Sequence, residues 1–278
     1  MVLDRLRAAG HEVTGLLRSS LADLRSAARV ALSSGSYDAL IVVGGDGMVH
    51  FGADCVAGTA LPLGVIPSGT GNDFARGVGV PLGDPAAAVD ALLDALARPI
   101  RRIDAIRVTR ADGAEEWVLG AVSAGFDALV SARANRMSRP RGASRYTVAM
   151  LRELAGLKPL RYRLTIDGVT SEEEAVLLAV ANNGFIGGGM HIAPDALLDD
   201  GELDLLLVRP LGRLRFLTLF PRVFSGRHAG LPQVRLERVR RVRIDSPDPL
   251  PVFADGESLG TLPVDLEVVP GAVSLLAP

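Results

Sequence analysis

Lysine is almost missing from this sequence. Lys158 is the only one, so arginine carries nearly all of the positive charge. A P-loop needs Gly-Lys-Ser/Thr, and a protein kinase needs a lysine on a strand. Lys158 lies in Gly156-Leu157-Lys158-Pro159, which suits neither. Cysteine is equally scarce: Cys55 stands alone, which excludes an internal disulfide and a thiolate metal cluster. There is no charge excess to attract nucleic acid, since the formal net charge is -2. No apolar run approaches the ~20 residues needed to cross a bilayer. The opening Met1 to Arg7 is charged and helical in pattern, unlike a signal peptide. These absences predict a cytoplasmic chain, with a peripheral position at the inner membrane face still open. At 278 residues, 48% hydrophobic and 22% charged, the chain has enough apolar content for one large domain or two ordinary ones.

What is present is glycine in two concentrated places. Ile41-Val42-Val43 runs into Gly44-Gly45-Asp46-Gly47, a buried strand entering a tight turn. A second junction follows at Val65-Ile66-Pro67-Ser68-Gly69-Thr70-Gly71-Asn72-Asp73-Phe74. Glycine lets a ligand approach the backbone closely, and turn N–H groups favour anions, so the paired loops predict a phosphate site. Thr70 and Asn72 can hydrogen-bond phosphate or ribose, and Asp46 or Asp73 can meet a metal or orient the loop. A complete Gly-x-Gly-x-x-Gly is absent, which argues against a dinucleotide fingerprint.

Around these loops strand and helix alternate. A helix is expected near Val2 to Ala9, a short strand at His11 to Thr14, and a helix capped by Ser20 with Leu21, Leu24, Ala28 and Leu32 inward. The strand Asp38 to Val43, a helix from Met48 to Ala57, the strand Leu63 to Ile66 and a helix opened by Asp84-Pro85 follow. This rhythm predicts a parallel, doubly wound α/β region over residues 1–102. The usual first strand is missing, so the native reading frame is expected to begin upstream. From 103 to 278 the pattern changes to strands: Ile103 to Thr109, Trp117 to Val122, Tyr162 to Ile166, Ala175 to Ala181, Leu203 to Val208, Val239 to Ile244, Val252 to Ala254 and Val264 to Val269. Asp112-Gly113, Asp167-Gly168 and Asp255-Gly256 suit hairpin turns. Helical insertions are expected near 125–157 and 211–225. The second region therefore reads as an antiparallel β-sandwich.

Taken together, the two glycine loops resemble the diacylglycerol kinase catalytic domain, closest to the bacterial soluble lipid kinases and related to sphingosine and ceramide kinases. The likeness continues through Asn182-Asn183-Gly184, Gly187-Gly188-Gly189-Met190, Ala193-Pro194-Asp195-Ala196, Asp199-Asp200-Gly201 and Asp255-Gly256-Glu257. It covers essentially the whole chain, in order. The resemblance implies ATP-dependent phosphorylation of a lipid alcohol, diacylglycerol first, at a membrane surface. It implies ATP contacts from Thr14, from Gly44, Gly45, Asp46, Gly47, Met48, Val49, His50 and Phe51, and from Thr70, Asn72 and Asp73. It implies Glu257 as general base with Asp255 beside it. A structural Mg2+ would be held by the Asp200 carboxylate and the main-chain oxygens of Leu197 and Glu202. Asp-Gly-Glu occurs twice: the copy at 200–202 matches the family's metal loop, and that at 255–257 its catalytic turn.

The chain departs from the family at Met48, where a hydroxyl residue is usual, and at His50. A lone helical histidine more often packs than binds. Arg133, Arg136, Arg139, Arg141 and Arg145 form a basic stretch that suits a solvated loop or anionic headgroups. The helix around Leu211 to Val223 could lie on a membrane or cover the β region. His191 and His228 have no partner spacing for a metal. Two other readings stand beside the lipid kinase: an NAD kinase, which shares the Gly-Asp-Gly loop and the two-domain plan, and an inactive relative that binds lipid or nucleotide. Oligomeric state is open, a homodimer included.

Overall fold

The computed structural model describes residues 1–139 and 143–278; Arg141, from the basic stretch, lies outside the described residues. The chain forms two compact units, Met1–Ile103 with Gly271–Pro278, and Asp104–Pro270. The last eight residues, assigned from the sequence to the second region, thus fold with the first.

In the first unit, α1 (Val2–Ala8) and α2 (Leu21–Leu32) precede β1 (Leu40–Gly44), α3 (Asp46–Val56), β2 (Leu63–Pro67), the short α4 (Asp73–Gly77) and α5 (Pro85–Leu96). β1 and β2 are parallel, with Val42 opposite Val65, and the end of the last strand adds to β2 in parallel through Leu275 and Leu63. Side-chain caps fix the helix starts. Ser20 Oγ accepts from Asp23 N at 3.1 Å, and Asp84 Oδ1 accepts from Ala86 N and Ala87 N at 2.9 and 3.0 Å. Each such cap satisfies amides that a helix leaves unpaired.

Two expectations fail here. His11 to Thr14 forms no strand. Four residues without a ladder partner cannot satisfy their backbone groups as a strand; the Val13 carbonyl instead accepts from Arg7 Nη2 at 3.1 Å. Leu21, placed on the inner face of α2, is 42% exposed, while Ala28 is buried.

The second unit holds β3 (Arg101–Arg110, which enters from the first), β4 (Glu115–Val118), β5 (Ala121–Ser123), α6 (Phe126–Arg136), α7 (Ala143–Ala155), β6 (Leu160–Ile166), β7 (Val169–Ala175), β8 (Leu177–Ala181), β9 (Phe185–Ile186), β10 (Met190–His191), β11 (Leu203–Val208), α8 (Arg213–Leu219), a 3-10 turn at Phe220–Ser225, β12 (Val234–Val239), β13 (Arg241–Asp245), β14 (Pro251–Ala254), β15 (Glu257–Thr261) and β16 (Val264–Leu276). One antiparallel layer runs β16-β13-β6-β7 and another β12-β11-β8-β5-β14-β15. Alternation along the strands builds the core. Leu160, Tyr162 and Leu164 of β6 and Val242 and Ile244 of β13 share one core with Leu203, Leu205 and Leu207 of β11 and Leu178 and Val180 of β8. Trp117 to Val122, expected as one strand, breaks at Leu119-Gly120. Val239 to Ile244 divides between β12 and β13.

On the outside of the second layer, α6, α7 and α8 pack around Phe126, Leu154, Val176 and Phe216. Among the described residues no helix is long and apolar enough to cross a membrane.

Candidate active site

The first-unit loops meet backbone to backbone. A Cβ added at Gly69 would lie 2.4 Å from the Gly45 Cα, so neither loop tolerates a side chain at that crossing. Ser68 N donates to Gly44 O at 2.9 Å. Asp46 Oδ1 accepts from Phe74 N at 3.1 Å and so pins the second loop to the start of α3. Asn72 adopts φ 51°, and its amide closes the second loop on itself: Oδ1 accepts from Gly69 N and Nδ2 donates to Gly69 O, both at 2.9 Å. The α3 N-cap is Gly45, with no side chain capping the helix. Its first amides therefore stay open to an anion, with the helix dipole behind them. Thr70 is exposed beside them.

The predicted nucleotide residues separate accordingly. Gly44, Gly45, Asp46, Gly47 and Thr70 lie at the paired loops. Asn72 and Asp46 act there as braces. Asp73 is buried, 4.0 Å from Arg76 Nε. Met48 is half-buried, its side chain against Gly44. Val49, His50 and Phe51 are buried to 2–3% exposure. His50 Nε2 lies 3.8 Å from Asp54 Oδ2 one turn on. Thr14 is exposed, outside any regular element.

In the second unit, Asp255-Gly256 forms a two-residue turn with φ 47° and 86°, joining β14 to β15. The Asp255 carboxylate accepts from Gly120 N at 3.3 Å and Ala121 N at 3.1 Å at the start of β5. A Cβ on Gly120 would sit 2.0 Å from Asp255 Oδ1. Asp255 thus braces this turn against the start of β5 through both of its carboxylate oxygens. Glu257 opens β15, is exposed, and its side chain has no hydrogen bond or ion pair among the described residues.

A residue missed from sequence links this turn to the loop at 197–202. Asp104, 2% exposed, accepts from Gly201 N at 2.7 Å through Oδ2, and its own N donates to Leu198 O at 2.6 Å. Asn182 Nδ2 donates to Asp104 O at 2.9 Å and Leu119 O at 3.1 Å, and Asn182 N donates to Gly120 O at 2.9 Å. One hydrogen-bonded chain thereby runs from Gly201 through Asp104 and Asn182 to Gly120 and Asp255. The signal was available: an aspartate between Ile103 and Ala105, inside the short apolar run that ends at Ile106.

In the loop itself, Asp200 Oδ1 accepts from Glu202 N at 3.1 Å, and Asp200 Oδ2 lies 3.0 Å from Arg238 Nη1. Glu202 lies 3.5 Å from both Arg238 and Arg240. Even so, negative charge is in excess. Burial pushes the Asp204 carboxyl up to about 6; Arg238 opposes this, and Asp200, Asp195 and Glu202 add to it. Among the described residues no three His, Cys, Asp or Glu side chains form a metal group. A cation here would rest on one carboxylate and main-chain carbonyls. That oxygen-only, negatively biased donor set fits a hard ion such as Mg2+.

Paired glycine loops on a parallel α/β unit, followed in the chain by an antiparallel β unit with an exposed glutamate after an Asp-Gly turn, are the parts expected of a two-domain phosphotransferase. The comparisons make this specific. Residues 2–108 match the diacylglycerol kinase catalytic domain, and residues 120–277 match the YegS C-terminal NAD kinase beta sandwich-like domain. A diacylglycerol kinase of Mycobacterium tuberculosis (strain ATCC 25618 / H37Rv) is 39% identical over 277 residues, covering 99% of this chain and 87% of the relative. A YegS-like lipid kinase of Stenotrophomonas maltophilia (strain K279a) is 32% identical, covering 87% and 79%. A crystal structure of a diacylglycerol kinase from Bacillus anthracis str. Sterne shares the fold, with a TM-score of 0.66 at 22% identity over 95% of this chain and 84% of that one. The chain belongs to the diacylglycerol kinase family of lipid kinases.

Proposed function

We propose that this kinase transfers the γ-phosphate of Mg·ATP to the hydroxyl of diacylglycerol, giving phosphatidic acid. The open α3 amides and the Gly45–Gly69 crossing take the triphosphate, and Thr70 adds a hydroxyl donor. Glu257 accepts the proton as the alcohol oxygen bonds to the γ-phosphorus. The bond from that phosphorus to the β–γ bridging oxygen then breaks, and ADP leaves. A primary alcohol is a weak nucleophile, so a positioned carboxylate of this kind contributes typically ~10²–10⁴-fold. The loop at 197–202 would hold a structural Mg2+ through Asp200 and the carbonyls of Leu197 and Glu202, neutralising the local carboxylates and stiffening the chain that ends on Asp255.

The observation that carries this reading is Glu257, the one member of its turn left free while its neighbour is fully committed. The test is incubation with labelled ATP, Mg2+ and a panel of diacylglycerol, sphingoid base, ceramide and NAD. Label in phosphatidic acid is the expected product. Label in NADP, or nucleotide binding with no transfer to any acceptor, would replace the proposal with one of its rivals.

A further inference from the structure

We propose that α8 and the 3-10 turn after it form the face by which this kinase docks on an anionic bilayer. The inference rests on the lipid-kinase reading, since the acceptor must be reached where it resides.

Between Asp204 and Glu237 the sequence contains no acidic residue but six arginines, in a chain whose net charge is -2. Arg213, Arg215, Arg222 and Arg227 are all exposed, and none of their guanidinium groups makes an ion pair among the described residues. Interleaved with them are large apolar side chains held out in solvent: Leu214 at 81% exposure, Leu217 at 45% and Phe224 at 52%. The inward side of the same segment is anchored. Phe216 is buried against Phe126 with ring centroids 4.9 Å apart, and Phe220 stacks on Phe216 at 5.5 Å. The core side of this segment is therefore already filled, and the outward leucines are surplus to it. Leu151 and Tyr146 of α7, in the same helical layer, are also exposed, at 54% and 42%. In water such a patch is a cost. At an interface the apolar side chains enter the acyl boundary while the arginines meet headgroup phosphates. A charge pattern this one-sided matches a polyanionic surface and would repel a second copy presenting the same face. α6 packs both on this layer and on β14, whose hairpin carries Glu257.

The test is co-sedimentation of the full chain with vesicles of phosphatidylglycerol and phosphatidylcholine, against vesicles of phosphatidylcholine alone, at low and high salt. Binding to the anionic vesicles that weakens with salt is expected. Each Arg→Gln change at 213, 215 or 222 should lower partitioning by roughly fivefold, as one basic residue near a charged leaflet contributes. Leu214→Asp should remove most of the remainder. Phosphorylation of a short-chain, water-soluble diacylglycerol should be unchanged in all four variants. That arm separates the two ideas: loss of soluble-substrate turnover in the unmodified chain sinks the kinase reading, whereas intact turnover without anionic vesicle binding sinks only the docking face. Equal binding to neutral vesicles, or variants that bind like the parent, would overturn it. So would light scattering that shows Leu214→Asp dissolving a dimer.

Discussion

Two hairpins of the second unit are built alike and end differently. Asp167-Gly168 and Asp255-Gly256 have the same backbone, φ 47° and 90° in one and 47° and 86° in the other. In each, the aspartate carboxylate reaches two successive amides on a neighbouring strand. Asp167 takes Arg240 N at 3.2 Å and Arg241 N at 2.8 Å, as Asp255 takes Gly120 N and Ala121 N. Even the return bond is shared: Asp167 N donates to Arg241 O, and Asp255 N to Ala121 O. The residue after the glycine is Val169 in one and Glu257 in the other, both exposed. The aspartate is therefore what this turn needs in order to stand, and the glutamate is what one copy adds. The loop at 200–202 makes the same point from the other side. It has the same three residue types, but Glu202 is held near Arg238 and Arg240 and is not free to accept a proton.

The comparison is broken most directly at its third position. Glu257→Gln should lower kcat by about 10²–10⁴-fold while ATP binding and thermal stability hold, because the side chain supports no contact. Glu202→Gln should leave kcat within a small factor of the parent. Adding Val169→Glu to Glu257→Gln should restore nothing. Comparable losses at Glu202 and Glu257, measured in the same phosphoryl-transfer assay, would end the distinction.

The next largest effect lies at the braces. Asp167→Asn and Asp255→Asn each weaken two charge-assisted bonds and should each lower stability by about 1–3 kcal/mol in urea unfolding. Only Asp255→Asn should also lower kcat, since only its turn carries the base. Gly120→Ala should mimic Asp255→Asn, because its Cβ would displace the carboxylate. At the equivalent place by the other turn the chain already carries Arg240. If Asp167→Asn depressed kcat as much as Asp255→Asn, the second turn would have no special part in the chemistry.

Much of this was legible in the residues themselves. Strands with strict alternation, such as Leu160 to Ile166, and helices with a capping carboxylate, such as Asp84-Pro85, declare their structure locally. What was not legible depends on partners distant in sequence. β7 was missed because Thr170, Ser171 and Glu172 to Glu174 look like loop; it exists through its ladder to β6, reinforced by Arg163 Nε and Glu172 Oε1 at 2.7 Å. The return of Leu275 to Leu63 could not be read, since strand pairing over such a separation leaves no local mark. In the candidate site, residue types marked the two glycine loops and the Asp-Gly turns but not which polar groups the fold uses to shape backbone. Asn72 and Asp255 are polar groups spent on shaping backbone, which sequence alone cannot tell from polar groups left for a ligand.

A smaller effect is expected at the carboxylate-rich loop. If Mg2+ relieves the charge excess around Asp200, millimolar Mg2+ should raise the melting temperature without nucleotide, and Ca2+ should compete. Asp200→Asn should reduce that rise while leaving the ATP-dependent stabilisation intact. A melting temperature indifferent to Mg2+ and to chelator would mean that Arg238 and Arg240 already suffice.

The smallest effect belongs to a histidine away from all three turns. His228 is 5% exposed, and its Nε2 lies 2.9 Å from Ile192 O. Burial lowers its pKa below the ordinary 6.5, against the help of that carbonyl, and His191 lowers it a little further. Below about pH 6.5 the unfolded chain therefore binds a proton that the native protein resists, so stability falls as pH falls through that range and is unaffected above it. Asp195 faces His191 and offsets part of this for His191 alone. Melting curves between pH 7.5 and about 5.5 should show this slope, and His228→Gln should flatten it without altering turnover at neutral pH. A slope unchanged by the substitution would assign the acid sensitivity to other groups.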